Sequence, residues 1–448
     1  MLQTFKNAWK VQELRNKILF TLMIILLYRI GAALYVPFVN VAAINDLKGL
    51  VGGVFQFVNM FSGGAFRNGT FFALSVSPYI TASIVMQLLT IAIPALERLS
   101  KQGEDGKKKI AAYTRLVTVA LALLTAYGYV ELLNSGAGSG SSALVVGKDE
   151  GGFYYFQMAV IMACLCAGAS LVMWLAEKIN EHGIGNGISI ILFANILADG
   201  RMQFESMKSM IMTSSVDFMQ GWDLAIGIIK IVVSLLLAVL AVGLIVWFTN
   251  SERRIPIQYA KRVVGRKMYG GQSSNLPLKM NMAGVMPVIF ASSIVSLPAT
   301  IASFIPNTGF GKFINNWFSY TSPLYIALFI VLIFAFSYFY IMISFNPVEV
   351  ANNIRSNGGA IPGIRPGKPT SDYIKKILNR ITLIGALFLV VISGVPMIIS
   401  AVTALFGVNF TSIAFTGTSL LIVVGVALET VRDLEAQLAM RNYKGFLD

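Results

Sequence analysis

The sequence predicts an all-α polytopic membrane protein of ten transmembrane helices, arranged as two inverted, pseudo-symmetric five-helix halves with one re-entrant segment. Three observations predict it. The 448 residues are 56% apolar and only 12% charged, with mean hydropathy +0.71, whereas a soluble domain carries about 25% charged residues. Apolar stretches recur along the whole chain, near the length of about 20 residues that a helical span needs. The basic residues collect in alternate loops, which is how spans are oriented with their positive loops in the cytoplasm.

In order, the expected spans are Ile18–Val36, Ser75–Ala95, Tyr113–Asn134, Phe153–Leu175, Ile184–Ala198, Leu224–Phe248, Ala283–Ile305, Pro323–Phe345, Ile377–Ile399 and Phe410–Val431. The first follows a charged start without a small-residue cleavage site, so a membrane span is expected and not a removable signal peptide. The fifth is short and opens on Gly183, Gly185 and Gly187.

The loops set the orientation. Lys6, Lys10, Arg15 and Lys17 precede the first span, and Arg98, Lys101, Lys107, Lys108 and Lys109 follow the second. Two more basic loops follow the sixth and eighth spans, while the loops between are poor in Lys and Arg. Both termini are therefore expected in the cytoplasm. The net charge of +14 is an orientation signal and not a footprint for nucleic acid. The loop Ser135–Gly152 is rich in Gly and Ser and reads as a flexible linker.

A faint internal repeat links spans five apart. PYITASI from Pro78 in the second span parallels PVIFASSI from Pro287 in the seventh. GISIIL from Gly187 in the fifth parallels GTSLLI from Gly417 in the tenth. An odd offset reverses direction across the membrane, so the halves are inverted and the functional path is expected between them, near the midplane.

That repeat places aliphatic residues. Val76 and Ile80 are four apart and share a helix face, as do Ile188 and Leu192. By the repeat, Ile80 corresponds to Ile289 and Leu192 to Ile422. Branched aliphatics from four helices form a constriction that excludes water and ions by dewetting. Plain packing or lipid contact is the other reading of any one of them.

Between the first two spans, Phe55–Phe72 carries Gly63, Gly64 and Gly69 among Phe55, Phe57, Phe61, Phe66, Phe71 and Phe72. It is too short and too broken for a span. A re-entrant element buried in protein fits it, and so does an amphipathic loop on the outer leaflet. Arg29, well inside the first span, is a functional candidate by default.

The two long basic loops exceed what orientation requires. In Asn250–Met282, Ile255, Ile257 and Tyr259 alternate with Arg254, Pro256 and Gln258, a strand pattern, and Gly265 turns the chain into a second arm at Arg266–Tyr269. Arg253, Arg254, Lys261, Arg262, Arg266 and Lys267 make this hairpin basic, suited to ribosomal RNA, anionic lipid or an acidic protein face. In Asn346–Arg380, closely spaced Gly and Pro impose turns that present Arg365.

Other classes find little material. Cys164 and Cys166 lie two apart inside an apolar segment and are read as packing residues, and His182 is the only histidine. There is no phosphate-binding loop, and Glu97, Glu131, Glu177 and Glu429 sit near span ends. No cofactor, metal site or enzyme activity is expected. A secondary transporter, also built from inverted repeats, is the alternative, but it wants polar ligands where this chain offers aliphatics.

Several motifs, in order, carry a family resemblance: YRIGA from Tyr28, PYITASIVMQLL from Pro78, GIGNGISII from Gly183, NMAGV from Asn281, PGIRPG from Pro362 and GTSLLI from Gly417. Together they resemble SecY, the central pore subunit of the bacterial Sec protein translocase. The resemblance implies a channel for unfolded preproteins that opens sideways to lipid between spans two/three and seven/eight. It implies a pore ring of Val76, Ile80, Ile188, Leu192, Ile289 and Ile422, and a plug containing Phe61, Gly63, Gly64, Phe66, Gly69 and Phe71. The halves are expected at 1–210 and 211–448. The two basic loops match docking sites for the SecA motor and the ribosome, ribosomal RNA included, with Arg365 matching a residue needed for motor-driven export. SecE and SecG subunits, signal peptides, nascent chains and membrane lipid are the other implied partners, in the bacterial cytoplasmic membrane.

Overall fold

The computed structural model describes residues 2–40, 59–135, 144, 152–213, 221–259, 262–264, 267–269, 273–302, 309, 313, 317–318, 322–405 and 417–444. Lys261, Arg266, residues 55–58 of the glycine-broken segment, nearly all of the Gly/Ser linker and the first residues of the tenth expected span lie outside these.

Each expected span coincides with a helix. A short amphipathic helix, α1 (Leu2–Lys10), precedes α2 (Gln12–Gly31). The second span is α3 (Ser77–Ala92), with Pro78 in its first turn, where the missing N–H costs nothing. It stops before Pro94, and the chain bends by 105° into α4 (Pro94–Ser100). Next come α5 (Glu104–Ser135), α6 (Gly152–His182), α7 (Gly187–Thr213) and α8 (Gly221–Asn250). In the second half, α9 (Met286–Ala302) and α10 (Pro323–Ser344) are followed by α11 (Pro347–Ser356), α12 (Lys368–Leu405) and α13 (Gly417–Lys444). The Asn346 side chain caps α11 by accepting from the Val348 amide at 3.2 Å.

Several helices outrun the apolar stretches that predicted them. α5 starts at Glu104 rather than Tyr113, α6 runs on to His182 and α7 to Thr213, and α12 starts at Lys368. Hydropathy marks the membrane slab, whereas a nucleated helix extends cheaply into the polar zone. Among the described residues, Glu104–Asn134, Gly152–His182, Pro323–Ser356 and Lys368–Val402 are long and apolar enough to cross a membrane unaided. Shorter apolar runs such as Gly187–Gly200 and Met286–Pro298 belong to helices at the centre of the main core.

The two halves repeat one packing order. α3 packs on α5, α5 on α6 and α6 on α7; α9 packs on α10, α10 on α12 and α12 on α13. The corresponding helices are five spans apart, so the second set runs inverted. The halves touch where α9 meets α3 and α5, where α7 meets α8 and α13, and where α1 meets α13.

The loops after the sixth and eighth spans fold together. β1 (Glu252–Tyr259) pairs antiparallel with β4 (Ser273–Lys279), from Glu252↔Lys279 to Gln258↔Ser273. Its other edge pairs with β5 (Gly359–Ala360), Gln258 facing Ala360 and Tyr259 facing Gly359. β2 (Arg262–Val264) and β3 (Lys267–Tyr269) form a separate two-stranded arm between β1 and β4. The expected hairpin is thus an arm set on a longer strand pair. Ile255, Ile257, Leu278, Ile354, Ile361, Ile374 and Ile381 give this body its own core.

Candidate functional site

The site begins with six aliphatic side chains from both halves. Val76 precedes the first turn of α3 and Ile80 lies one turn on; Ile188 and Leu192 occupy α7, Ile289 lies on α9 and Ile422 on α13. All six contribute to one hydrophobic cluster, five of them with relative exposure of 4% or less and Ile188 half-buried. Burial within protein removes lipid contact as the reading of these positions. Ile84, one turn beyond Ile80, and Ile191 and Val288 join the same cluster. The period of α3 alone points to Ile84; the other two needed the packing. Ser292 and Ser293 satisfy their hydroxyls on the Ile289 carbonyl of their own helix, at 2.8 and 2.9 Å, and leave the cluster apolar.

The glycine-broken segment folds back against this cluster. A single helical turn at 59–62 gives way to Gly63, Gly64 and Gly69, all with positive φ. Its shape is set internally. The Ser62 hydroxyl accepts from the Phe66 amide at 3.0 Å and donates to the Asn59 carbonyl at 2.9 Å, while the Asn59 side chain accepts from the Arg67 amide at 3.0 Å. The phenylalanines divide their contacts. Phe61 enters the main aliphatic cluster, with Phe71 packed at its margin. Phe66 enters a second cluster, with its ring 4.8 Å from that of Tyr129, whose hydroxyl donates to the Phe66 carbonyl at 2.7 Å. Gly168 on α6 admits the segment closely, since a Cβ there would lie 2.0 Å from the Phe71 carbonyl oxygen. The described part is therefore buried in protein, not spread on the outer leaflet. Arg29 is half-buried, with its guanidinium against Gly63.

On the opposite side of the cluster opens a polar cavity of about 600 Å³. Asn180, Asn186, Thr249, Lys279, Asn281, Glu429, Arg432 and Asp433 line it, and Val285, which belongs to the aliphatic cluster, is shared between the two. Arg432 donates to the Thr249 carbonyl at 2.7 Å and to the Asn250 side chain at 2.8 Å. Asp433 accepts from the Gly185 amide at 3.1 Å. These bonds tie α13 to the end of α8 and to the linker between α6 and α7. Burial, together with the nearby Arg432 charge, holds the Lys279 ammonium pKa below its usual value.

The basic loops present a surface beside this cavity. Arg253 and Arg254 are exposed on β1, with Arg254 paired to Glu252 at 2.6 Å. Arg262 and Lys267 lie on the β2–β3 arm. Arg365 is exposed, and its carbonyl accepts from the Thr370 hydroxyl at 2.9 Å. The β1–β5 pairing joins the Arg365 loop to the hairpin, a link the sequence did not signal. Away from the site, His182 is exposed with its ring tilted on Phe20, 5.8 Å between centroids, and Cys164 and Cys166 are half-buried free thiols.

Comparison with known proteins matches this geometry to a family. The SecY family profile matches residues 70–431. A protein translocase subunit SecY of Streptomyces coelicolor is 46% identical over 452 residues, covering 100% of both chains. One from Mycobacterium tuberculosis is 42% identical over 464 residues, again covering both chains completely. In fold, the chain resembles a solved protein-conducting channel with TM-score 0.64 and 17% identity, over 94% of this chain and 92% of that one. It also resembles Sec61 from a canine ribosome–channel complex, with TM-score 0.61, 15% identity and the same coverage. An aliphatic cluster shared by two inverted halves, a segment folded against one side of it and a polar cavity on the other therefore sit in a ten-helix fold common to these channels, and the chain belongs to the SecY family.

Proposed function

We propose that the chain is the pore subunit of a protein-conducting channel in the bacterial cytoplasmic membrane, a passive conduit with no catalytic step of its own. Family membership supplies the activity, protein translocation. The observation that carries the assignment of residues is the convergence of Val76, Ile80, Ile188, Leu192, Ile289 and Ile422 from both halves into one apolar cluster, between a polar cavity and a folded-back segment. Aliphatic side chains leave water no partners, so the closed ring holds back ions, yet they flex around almost any passing side chain. Residues 59–72 are the plug and the polar cavity is the cytoplasmic mouth. The halves are 1–210 and 211–448.

Both termini and both basic loops face the cytoplasm, because these loops carry the densest Lys and Arg. Arg253, Arg254, Lys261, Arg262, Arg266, Lys267 and Arg365 serve docking of a SecA motor and of the ribosome. The ribosome assignment draws on the fold shared with channels solved on ribosomes. SecE and SecG complete the complex, signal peptides and nascent chains are the cargo, and membrane segments leave sideways into lipid.

Ile422→Asn is the test. Ile422 is fully buried in the cluster, and an unpartnered amide there costs about 1–3 kcal/mol, comparable to the few kcal/mol that separate closed from open. Membrane vesicles with the variant should leak ions when idle, and cells should export substrates with defective signal sequences. A well-expressed variant that stays tight and strict would remove Ile422 from the ring.

A further inference from the structure

Besides the Tyr129–Phe66 bond and the backbone pairing of 69–71 with 34–36, the segment at 59–72 meets the helices around it at a buried polar cluster, at the carbonyl of Phe61. Asn195 on α7 donates to that carbonyl through Nδ2 at 2.7 Å, and Ser75, just before α3, donates to it through Oγ at 3.1 Å. The Asn195 Nδ2 also lies 2.9 Å from the Tyr28 hydroxyl and 3.2 Å from the Ser75 Oγ, and these two hydroxyls are 3.1 Å apart. Asn195 and Tyr28 are fully buried and Ser75 is 1% exposed. Two separate elements, α7 and the approach to α3, thus donate to one backbone oxygen of a third, and α2 braces both donors through Tyr28.

Asn195 follows Ile188 and Leu192 at the i+7 and i+3 positions, so it stands on the same face of α7, one turn past the constriction. Its Oδ1 is buried and has no partner. An apolar side chain of the same shape would avoid that penalty. The amide is also fixed in orientation: turned over, Oδ1 would face the Phe61 carbonyl, acceptor against acceptor. The side chain accordingly acts here as a donor alone. Two further features fit a built contact. Gly63 lies so close that a Cβ on it would be 3.0 Å from both the Asn195 Cα and its carbonyl oxygen. Ser75 holds φ of 49°, a left-handed conformation that a side-chain-bearing residue keeps only where its surroundings demand it.

We infer that Asn195 is a positioning residue for the plug: with Ser75 as second donor and Tyr28 orienting both, it latches the segment in the closed channel through the Phe61 carbonyl. The contact uses a backbone oxygen, so it is indifferent to the side chain at position 61. Two ordinary hydrogen bonds are enough to bias the closed state and few enough to be released when cargo enters. This inference rests on reading residues 59–72 as a segment that moves during transport.

The test uses the whole complex in membranes, with Cys164→Ala and Cys166→Ala removing the native thiols and Ala65→Cys as reporter, a small residue 1% exposed within the segment. A membrane-impermeant thiol reagent is applied from the outer face, with the channel idle or carrying an arrested substrate. In the parent, labelling should be slow when idle and fast when occupied. Asn195→Leu, close to isosteric, should raise the idle rate about 5- to 30-fold, and Ser75→Ala should raise it less, with thermal unfolding like the parent's. Idle labelling unchanged in a well-folded Asn195→Leu, with occupied labelling still fast, would overturn the latch and leave the plug standing. Equal labelling of the parent, idle and occupied, would overturn the plug reading itself. Should Asn195→Leu not fold, Ser75→Ala decides: a raised idle rate supports the latch, and a rate equal to the parent's overturns it.

Discussion

At the scale of single residues, the glycine at position 63 shows how one missing Cβ lets the folded-back segment seat against α7. Its φ is 61°, and a Cβ would meet both the backbone of α7 and the guanidinium of Arg29 at 3.0 Å. Gly63→Ala should therefore weaken docking of the segment by about 1–3 kcal/mol while leaving the ten-helix body intact. The measurement is idle ion leak from vesicles: we expect it to rise, and a leak equal to the parent's would mean that the segment absorbs the methyl without leaving its seat. Gly63, Gly64 and Gly69 were legible in the sequence as breaks in a phenylalanine-rich run. The polar cluster around Asn195 was not. An asparagine inside an apolar span becomes informative only when its partners are known, and Tyr28, Ser75 and Phe61 come from distant parts of the chain. The one available signal was its spacing from Ile188 and Leu192, which puts it on the face already assigned to the constriction.

At the scale of elements, helix cores were legible and helix ends were not. Apolar runs found every span, but α5, α6, α7 and α12 continue as helix into polar sequence that lies outside any hydropathy window. The basic loops show a different limit. Alternation predicted β1, whereas β5 is two residues long and has no pattern of its own; only its pairing with Gln258 and Tyr259 makes it a strand. That pairing turns two loops into one body with an isoleucine core, which carries Arg253, Arg254 and Arg365 together. Arg365→Glu should change stability by no more than about 0.5 kcal/mol, since the side chain is exposed, yet it should cut motor-driven secretion. Secretion at the parent rate by the inserted variant would leave this loop with an orienting role only.

At the scale of the whole molecule, the two short sequence repeats foretold the plan. The order α3–α5–α6–α7 returns as α9–α10–α12–α13, five spans later, and the aliphatic positions equated by the repeat do share one cluster. The bond from Asp433 ties α13 to the linker between α6 and α7, and those from Arg432 tie it to the end of α8, so the two halves are joined beside the cavity as well as where α9 meets α3 and α5. Orientation follows from charge: reporter tags within 250–282 and 346–380 should read as cytoplasmic and a tag within 135–152 as external, and the reverse pattern would overturn the assignment of the cavity as the cytoplasmic mouth. In the proposed channel a polypeptide passes through the aliphatic ring between the halves. This path is tested most directly by arresting a substrate in transit and crosslinking it, one engineered cysteine at a time, to Ile80, Leu192, Ile289 and Ile422 and to the exposed positions Leu26 and Val239, which face away from the core. Crosslinks are expected at all four ring positions from the same short stretch of substrate, and none at Leu26 or Val239. Crosslinks at the exposed positions with a silent ring would contradict this path.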